Sequence, residues 1–296
     1  MALFVKITTM IDLHTHSTAS DSDYSPEELI QEAEKRGISA IALTDHDTLG
    51  GLERAERAAK EAGIRFIPGI EVSINWASEA GALRLGPGGE MHLLGLGLVS
   101  PTPAFLNAIA DLASRREARN KEILSRMNDI GISATWDEVL AISGGYSIGR
   151  PHFASLLVEK RIVKNREQAF ARYLRRGKPL FVPKVGISFD ESAALISESG
   201  GIPVLAHPMS LYVAWGQLPD LVKTLKTMGL KGIEAWHPTT KPASCRRLEA
   251  LGSTLGLRIT EGSDFHGASR SERQLGCSNK GRKINDTVLE AIPELC

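Results

Sequence analysis

Six of the eight histidines share one placement, at or just past the end of a predicted strand: His14, His16, His46, His92, His207 and His266. Carboxylates accompany them in the sequence: Asp21, Asp45, Asp47, Glu71 and Asp264. In His14-Thr15-His16 both imidazoles lie on one side of an extended segment, because strand side chains alternate with a period of two, so one ion can bind both. Imidazole and carboxylate together suit Mn, Zn or Fe, and this many ligands exceed what one tetrahedral ion uses. The sequence therefore predicts a centre of two or three divalent metal ions.

Core packing is the alternative interpretation of these histidines. A single strand-end histidine, such as His92 or His207, more often packs in a core with its ring nitrogens hydrogen-bonded. The repetition favours the metal centre, because unrelated packing does not place six imidazoles and several carboxylates at the same end of successive strands.

The elements that position these residues form an alternating pattern of short apolar strands and amphipathic helices, which predicts a parallel α/β fold. The clearest helix start is Ser25-Pro26-Glu27-Glu28, with an N-cap serine, a proline at the first helical position and a capping-box glutamate. In barrel-like folds of this class the loops after the strands converge on one face, where the histidines can meet. The predicted strands are 10–13, 40–43, 66–74 (interrupted at Pro68-Gly69), 91–98, 203–206, 232–235 and 257–260.

The alternation stops between residue 103 and about residue 174, where helical segments rich in Arg and Lys take its place. We therefore predict a barrel part at 10–102, a helical insertion at 103–182 and a second barrel part at 183–296. A phosphorylated substrate needs positive charge, and the insertion offers it on one helix face and at the start of another helix, whose amino end favours an anion. The predicted substrate contacts are Arg115, Arg119, Arg150, His152 and Lys178, together with His237 after a later strand. The alternative for Arg115 and Arg119 is a solvated helix face.

The composition limits the partners of the protein. The 296 residues include 35 Lys and Arg and 35 Asp and Glu, so the formal net charge is zero and no global field attracts nucleic acid. Three cysteines stand far apart without a CxxC pair, which is typical of the reducing cytoplasm. No apolar run approaches the roughly 20 residues of a membrane span. These features predict a cytoplasmic protein without a membrane segment, and they indicate no obligate protein partner.

The motifs resemble those of the PHP (polymerase and histidinol phosphatase) superfamily, from about residue 11 to residue 267. The motifs that carry the resemblance are Asp12-Leu13-His14-Thr15-His16 with Ser20-Asp21, Thr44-Asp45-His46-Asp47, Pro68-Gly69-Ile70-Glu71, His92, Ala206-His207-Pro208 and Gly262-Ser263-Asp264-Phe265-His266. Within the insertion, Arg150-Pro151-His152-Phe153-Ala154 and Gly177-Lys178 resemble the branch of nucleoside-3′,5′-bisphosphate phosphatases and 5′-to-3′ exoribonucleases.

The resemblance implies a distorted (β/α)7 barrel, interrupted by the helical insertion, with its site at the carboxyl face. It implies one ion held by His14, His16, Glu71 and Asp264, a second by Glu71, His92 and His207, and a third by Asp21, His46 and His266. Manganese is the expected metal, with zinc or iron as alternatives. Glu71, His207 and Asp264 are the expected catalytic residues.

The implied activity is hydrolysis of the 3′-phosphate of a nucleoside 3′,5′-bisphosphate, and of short 5′-phosphorylated RNA from its 5′ end. Two ions that bridge a water lower its pKa to near 7 and direct in-line attack of the hydroxide on phosphorus. Two alternatives are a histidinol-phosphatase-like monoesterase and a catalytically silent module that binds metal or nucleic acid. Three segments depart from the family pattern. Ser22 follows Asp21 where the family commonly has Gly, and Met209-Ser210-Leu211-Tyr212 stands where close relatives often carry Gly-Arg-Tyr. The loop between Glu71 and His92 is longer, with a Gly- and Ala-rich part at 77–89 that we expect to be flexible.

Overall fold

The computed structural model describes residues 9–76, 84–87, 89–143, 148–183 and 186–295. Most of the predicted loop at 77–89 lies outside these ranges, as does Cys296. No helix in the described ranges combines the length and the apolar character of a membrane-spanning segment.

Seven strands form one mixed sheet with the order β1 to β7, each strand next to its neighbour in sequence. The two edges of the sheet approach each other, because Thr15 at the end of β1 forms a parallel bridge with Phe265 and the His16 N–H donates to the Phe265 carbonyl at 3.0 Å. The predicted seven-stranded α/β architecture is thereby confirmed. The strands are β1 (Met10–Thr15), β2 (Ile38–Leu43), β3 (Arg65–Ile74), β4 (Met91–Leu96), β5 (Ile202–Leu205), β6 (Gly232–Trp236) and β7 (Arg258–Glu261).

In the described ranges all α-helices but the last lie between strands, with the largest group between β4 and β5. Helix α1 begins as predicted, because the Ser25 hydroxyl accepts from the Glu28 N–H while the Glu28 carboxylate accepts from the Ser25 N–H. The helices are α1 (Pro26–Lys35), α2 (Leu52–Ala62), α3 (Pro103–Asp129), α4 (Trp136–Ile142), α5 (Arg150–Glu159), α6 (Arg166–Ala169), α7 (Phe189–Glu198), α8 (Leu218–Thr227), α9 (Pro242–Thr254) and α10 (Thr287–Glu290), with a π-helical turn at Phe170–Leu174 and a 3₁₀ turn at Pro208–Leu211.

Strand β4 departs from the predicted parallel arrangement, because it runs antiparallel to both β3 and β5. A parallel pair needs a long crossover, usually a helix, and the described part of the β3–β4 connection contains none. The reversal preserves the site. His92 is the second residue of β4 and pairs with Ser73 near the carboxyl end of β3, so it reaches the same edge as the residues that follow the parallel strands.

The predicted interruption at Pro68-Gly69 was wrong, because β3 runs through both residues. Proline has no N–H to donate, but the Pro68 carbonyl accepts from the N–H groups of Gly97 and Leu98, both at 2.9 Å. Glu71 therefore lies in a continuous strand that is paired on both sides.

The helices between β4 and β5 share a separate hydrophobic cluster, which includes Ile123, Met127, Phe153 and Leu157. The first half of α3 belongs elsewhere, since Phe105 and its neighbours on the same face pack with α7, α8 and the β3–β6 sheet. Helix α3 thus packs against the sheet with its first half and against the helices that follow it with its second half.

Candidate metal centre

The side chain of Glu71 is fully buried and lies among five imidazoles. Its Oε2 is 3.3 Å from His14 Nε2, 3.2 Å from His16 Nε2 and 3.1 Å from His46 Nδ1. Its Oε1 is 2.8 Å from both His92 Nδ1 and His207 Nε2. A buried carboxylate with only two oxygens cannot satisfy five rings by hydrogen bonds alone, so the cluster suits cations placed between these atoms.

Asp264 and Asp21 extend the cluster on the side of β7. Asp264 Oδ1 lies 3.6 Å from His14 Nε2, 3.3 Å from His16 Nε2 and 3.3 Å from His266 Nδ1. Asp21 Oδ1 lies 3.2 Å from His266 Nε2. The structure thereby brings together all nine residues that the sequence analysis predicts as metal ligands.

Hydrogen bonds fix which ring nitrogens face inward. His14 Nδ1 donates to Glu234 Oε1 at 2.9 Å, and His266 Nδ1 donates to the backbone carbonyl of Asp264 at 2.7 Å. His207 Nδ1 donates to Ser210 Oγ at 2.7 Å, because that hydroxyl in turn donates to the Glu90 carbonyl. In each ring Nε2 faces a carboxylate oxygen, which is the orientation of a metal-ligating histidine.

Several of the inward atoms are buried without a hydrogen-bond partner, and such atoms are costly unless something else satisfies them. They include His14 Nε2, His16 Nε2, His46 Nδ1, Asp21 Oδ1 and Glu71 Oε2. Burial and the neighbouring His16 lower the pKa of His266 to about 4, so no second proton fills the inward side of that ring near neutral pH. The donor set of nitrogen and carboxylate oxygen fits divalent transition-metal ions.

The atoms divide into three groups, in each of which all ligand atoms lie within 4.8 Å of one another. The first contains the four residues of the first predicted ligand set, and the second contains the third predicted set together with His16. The remaining group joins His46 to Glu71 and His92, where the predicted second set has His207 instead. His207 Nε2 nevertheless lies at hydrogen-bond distance from the shared Glu71.

Three residues of the site have left-handed backbone conformations that non-glycine residues rarely adopt: Asp47 with φ 52°, His207 with φ 27° and Asp264 with φ 49°. Such conformations persist where the surrounding structure determines them, and they concentrate at functional sites. A glycine is needed at position 262 for steric reasons, because a Cβ there would lie 2.3 Å from the Cβ of His14.

Comparison with known proteins assigns the family. Residues 12–175 match the PHP domain family. The chain belongs to that family. A 5′-3′ exoribonuclease of Haemophilus influenzae is 34% identical over 260 residues, which cover 88% of this chain and 91% of the relative. A 3′,5′-nucleoside bisphosphate phosphatase of Chromobacterium violaceum is 31% identical over 267 residues, which cover 90% of each chain. The solved structure of a protein assigned as a metal-dependent phosphoesterase, from Bifidobacterium adolescentis, superposes with a TM-score of 0.80 at 27% identity and covers 96% of each chain.

The PHP centre is supported by residues that the sequence analysis missed. Glu234 in β6 accepts from His14 Nδ1 and, through Oε2, from the His207 N–H at 2.7 Å. Burial raises the pKa of Glu234, but His14 outweighs it and holds the pKa below its ordinary value. A signal was present, because Glu234 is the one charged residue in an otherwise apolar strand.

Two arginines after the last ligand motif were also missed. Arg273 donates to the carboxylate of Asp264, and Arg270 Nη2 lies 3.3 Å from Asp21 Oδ2. Burial raises the pKa of Asp264, but Arg273 and the nearby imidazoles outweigh it and keep the pKa well below its usual range. Their proximity in sequence to Asp264 and His266 was the available signal.

The predicted substrate contacts lie in different places. Arg150 Nη2 lies 2.6 Å from Glu90 Oε1 near His92, and Arg119 is close enough to Arg150 for the two charges to interact. His152 interacts electrostatically with Asp21, although its Nδ1 accepts from the Gly149 N–H within its own helix.

The other three predicted contacts have different surroundings. Arg115 is exposed and pairs with Asp111 one turn away on α3, while its neighbour Arg116 reaches the carboxylate of Asp47. Lys178 is exposed in the turn after the π-helical residues. His237 is buried, and its Nε2 lies 3.0 Å from Asp264 Oδ2, a position that braces the carboxylate.

Proposed function

We propose that this PHP protein is a divalent-metal-dependent phosphoesterase that removes the 3′-phosphate from nucleoside 3′,5′-bisphosphates. The observation that carries the proposal is the buried Glu71 carboxylate among five imidazoles, two of which, His14 and His207, have Nδ1 hydrogen-bonded elsewhere and Nε2 facing Glu71. The proposed ligands of two or three ions are the nine predicted residues, with Glu71 shared between ions and manganese as the metal.

Each part of the site has a distinct task in this proposal. Ions bound there supply positive charge for the phosphoryl oxygens and acidify water. Glu71 would be a ligand shared between ions, and Glu234 and Ser210 fix the rings of His14 and His207. Arg273 keeps Asp264 ionised and directed inward.

The second phosphate of the substrate needs a separate cationic site. Arg119 and Arg150 are proposed to bind it, because they lie beside the centre and belong to the helices of the insertion. We propose that residues 103–182 form a helical cap that carries this cationic site, and that residues 10–102 and 183–296 form the two parts of the barrel below it. The name of the Chromobacterium relative favours this doubly phosphorylated substrate, and that of the Haemophilus relative favours short 5′-phosphorylated RNA as a second one. Free thiols at Cys245 and Cys277 support a reducing, cytoplasmic location.

The test is phosphate release by the manganese-loaded protein from adenosine 3′,5′-bisphosphate, with histidinol phosphate and a 5′-phosphorylated RNA trinucleotide in parallel. We expect release from the bisphosphate that His207→Ala abolishes. Turnover of histidinol phosphate alone would favour the monoesterase alternative. No turnover of any compound by protein with measured bound manganese would favour a silent binding module.

A further inference from the structure

Three arginines of the insertion lie close together above the metal centre: Arg116, Arg119 and Arg150. Arg116 Nη2 lies 3.2 Å from the His46 carbonyl, which places this cluster at the edge of the site. Burial, followed by the charges of Arg116 and Arg150, lowers the pKa of Arg119 to about 10. Arg119 Nε is itself buried without a hydrogen-bond partner. Three guanidinium ions close together need anions beside them. Among the described residues, two carboxylates supply the opposite charge.

The two carboxylates, Asp47 and Glu90, differ in how firmly they are held. Asp47 is 6% exposed, and it accepts from the Ser73 N–H and hydroxyl as well as from Arg116. The Glu90 side chain is 45% exposed where it meets Arg150. Asp47 is therefore a fixed part of the structure, whereas the Glu90 carboxylate can exchange with another anion.

The main chain of Glu90 is fixed although its carboxylate is accessible. The Glu90 N–H donates to the Ser210 carbonyl at 3.2 Å, and the Ser210 hydroxyl donates to the Glu90 carbonyl at 3.2 Å. The same hydroxyl accepts from His207. From this anchored position, Glu90 Oε1 lies 2.6 Å from Arg150 Nη2 and Oε2 lies 3.8 Å from His92 Nε2. The carboxylate thus stands between the insertion and the metal centre.

We propose that Glu90 is a displaceable counter-ion for the arginine cluster, and that its carboxylate occupies the place on Arg150 that a phosphate of the substrate takes. The inference rests on the proposed function, since it assigns that phosphate to a phosphorylated nucleotide. A phosphate monoester carries about −1.5 to −2 charges at pH 7 and pairs with arginine through two parallel hydrogen bonds, so it replaces a single carboxylate favourably.

The experiment compares Glu90→Gln with a matched control, Glu294→Gln. Glu294 is 46% exposed and pairs with Arg258 at 2.8 Å, so it reproduces the exposure and the pairing of Glu90 away from the centre. Binding of adenosine 5′-monophosphate and of uncharged adenosine to the manganese-loaded proteins is measured by titration calorimetry, with bound manganese determined on each sample. Glu90→Ala is included as a second variant that offers no hydrogen bond to Arg150.

We expect both Glu90 variants to bind the monophosphate about tenfold more tightly than the wild type, which corresponds to about 1.4 kcal/mol. Adenosine binding and the Glu294→Gln control should not change, and KM for the bisphosphate should fall more than kcat changes. Unchanged or weaker binding of the monophosphate at equal manganese content would overturn the inference. Phosphate release by the wild type tests the proposed function separately, because it does not depend on the variants.

Discussion

Replacement of Glu234 by Gln tests how much the PHP centre depends on a residue that is itself no proposed ligand. The carboxylate is buried, and its two oxygens accept from two donors, the His14 ring and the His207 N–H. A glutamine keeps the shape but has one oxygen, so its amide NH2 must face one of these donors. One buried donor then loses its partner, which costs about 1–3 kcal/mol of folding stability.

The effect on metal binding follows from the same contacts. Without the negative charge on its Nδ1 side, the His14 ring is a weaker base and its orientation is less fixed. Loss of such a supporting carboxylate typically weakens metal binding by about 10- to 100-fold. We therefore expect the manganese Kd of Glu234→Gln to rise within that range, with phosphate release partly restored at high manganese concentration.

The assay is competition for manganese between the protein and a fluorescent chelator, combined with urea unfolding of the metal-free proteins. Glu261→Gln is the control, because Glu261 is a buried carboxylate on the adjacent strand that pairs with Ser278 and Arg282 instead of the proposed ligands. An unchanged manganese Kd in Glu234→Gln would refute the reasoning, as would an equal rise in Glu261→Gln.

Three further predictions concern other parts of the centre. Ser210→Ala removes the acceptor of the His207 ring and should lower kcat about tenfold. The control Ser192→Ala in α7 should leave kcat unchanged. Equal kcat values for the two variants in a steady-state assay would contradict the role of Ser210. Arg273→Met leaves the buried Asp264 carboxylate without its arginine partner. The unfolding free energy of the metal-free protein, measured in urea, should fall by about 3 kcal/mol. No change would show that the ion pair is dispensable. Manganese at about 100 times its Kd should stabilise the wild type by about 2.7 kcal/mol per bound ion, seen as a rise in Tm, and an unchanged Tm would argue against the centre.

The grouping of the nine predicted ligands was largely predictable from sequence, because these residues lie in strands or just after them. The spacing of His14 and His16 and the position of Glu71 in a strand are local features, and parallel pairing brings the ends of such strands to one edge. The direction of β4 was not predictable in this way. In the antiparallel β4 His92 reaches the common edge because it lies at the amino end of the strand, whereas in a parallel strand it would have to lie at the carboxyl end. The predicted start of α1 was correct, because Ser25 and Glu28 interact within one helical turn.

The supporting residues were less predictable because their partners are distant in sequence. Glu234 meets His14 across 220 residues, and Arg116 meets Asp47 across 69. Arg115 and Arg116 are adjacent in sequence and have different partners, because the rotation of α3 directs only Arg116 towards the site. Side-chain periodicity finds a basic helix but not which of its arginines faces the centre.

The central claim is that the imidazoles around Glu71 hold divalent ions. Diffraction from crystals grown with manganese, collected at the manganese absorption edge, tests it directly. We predict at least two anomalous peaks, with one or more at about 2.2 Å from a Glu71 carboxylate oxygen and within the same range of His14 or His16 Nε2. Fully ordered side chains at these positions without any anomalous peak would contradict the claim.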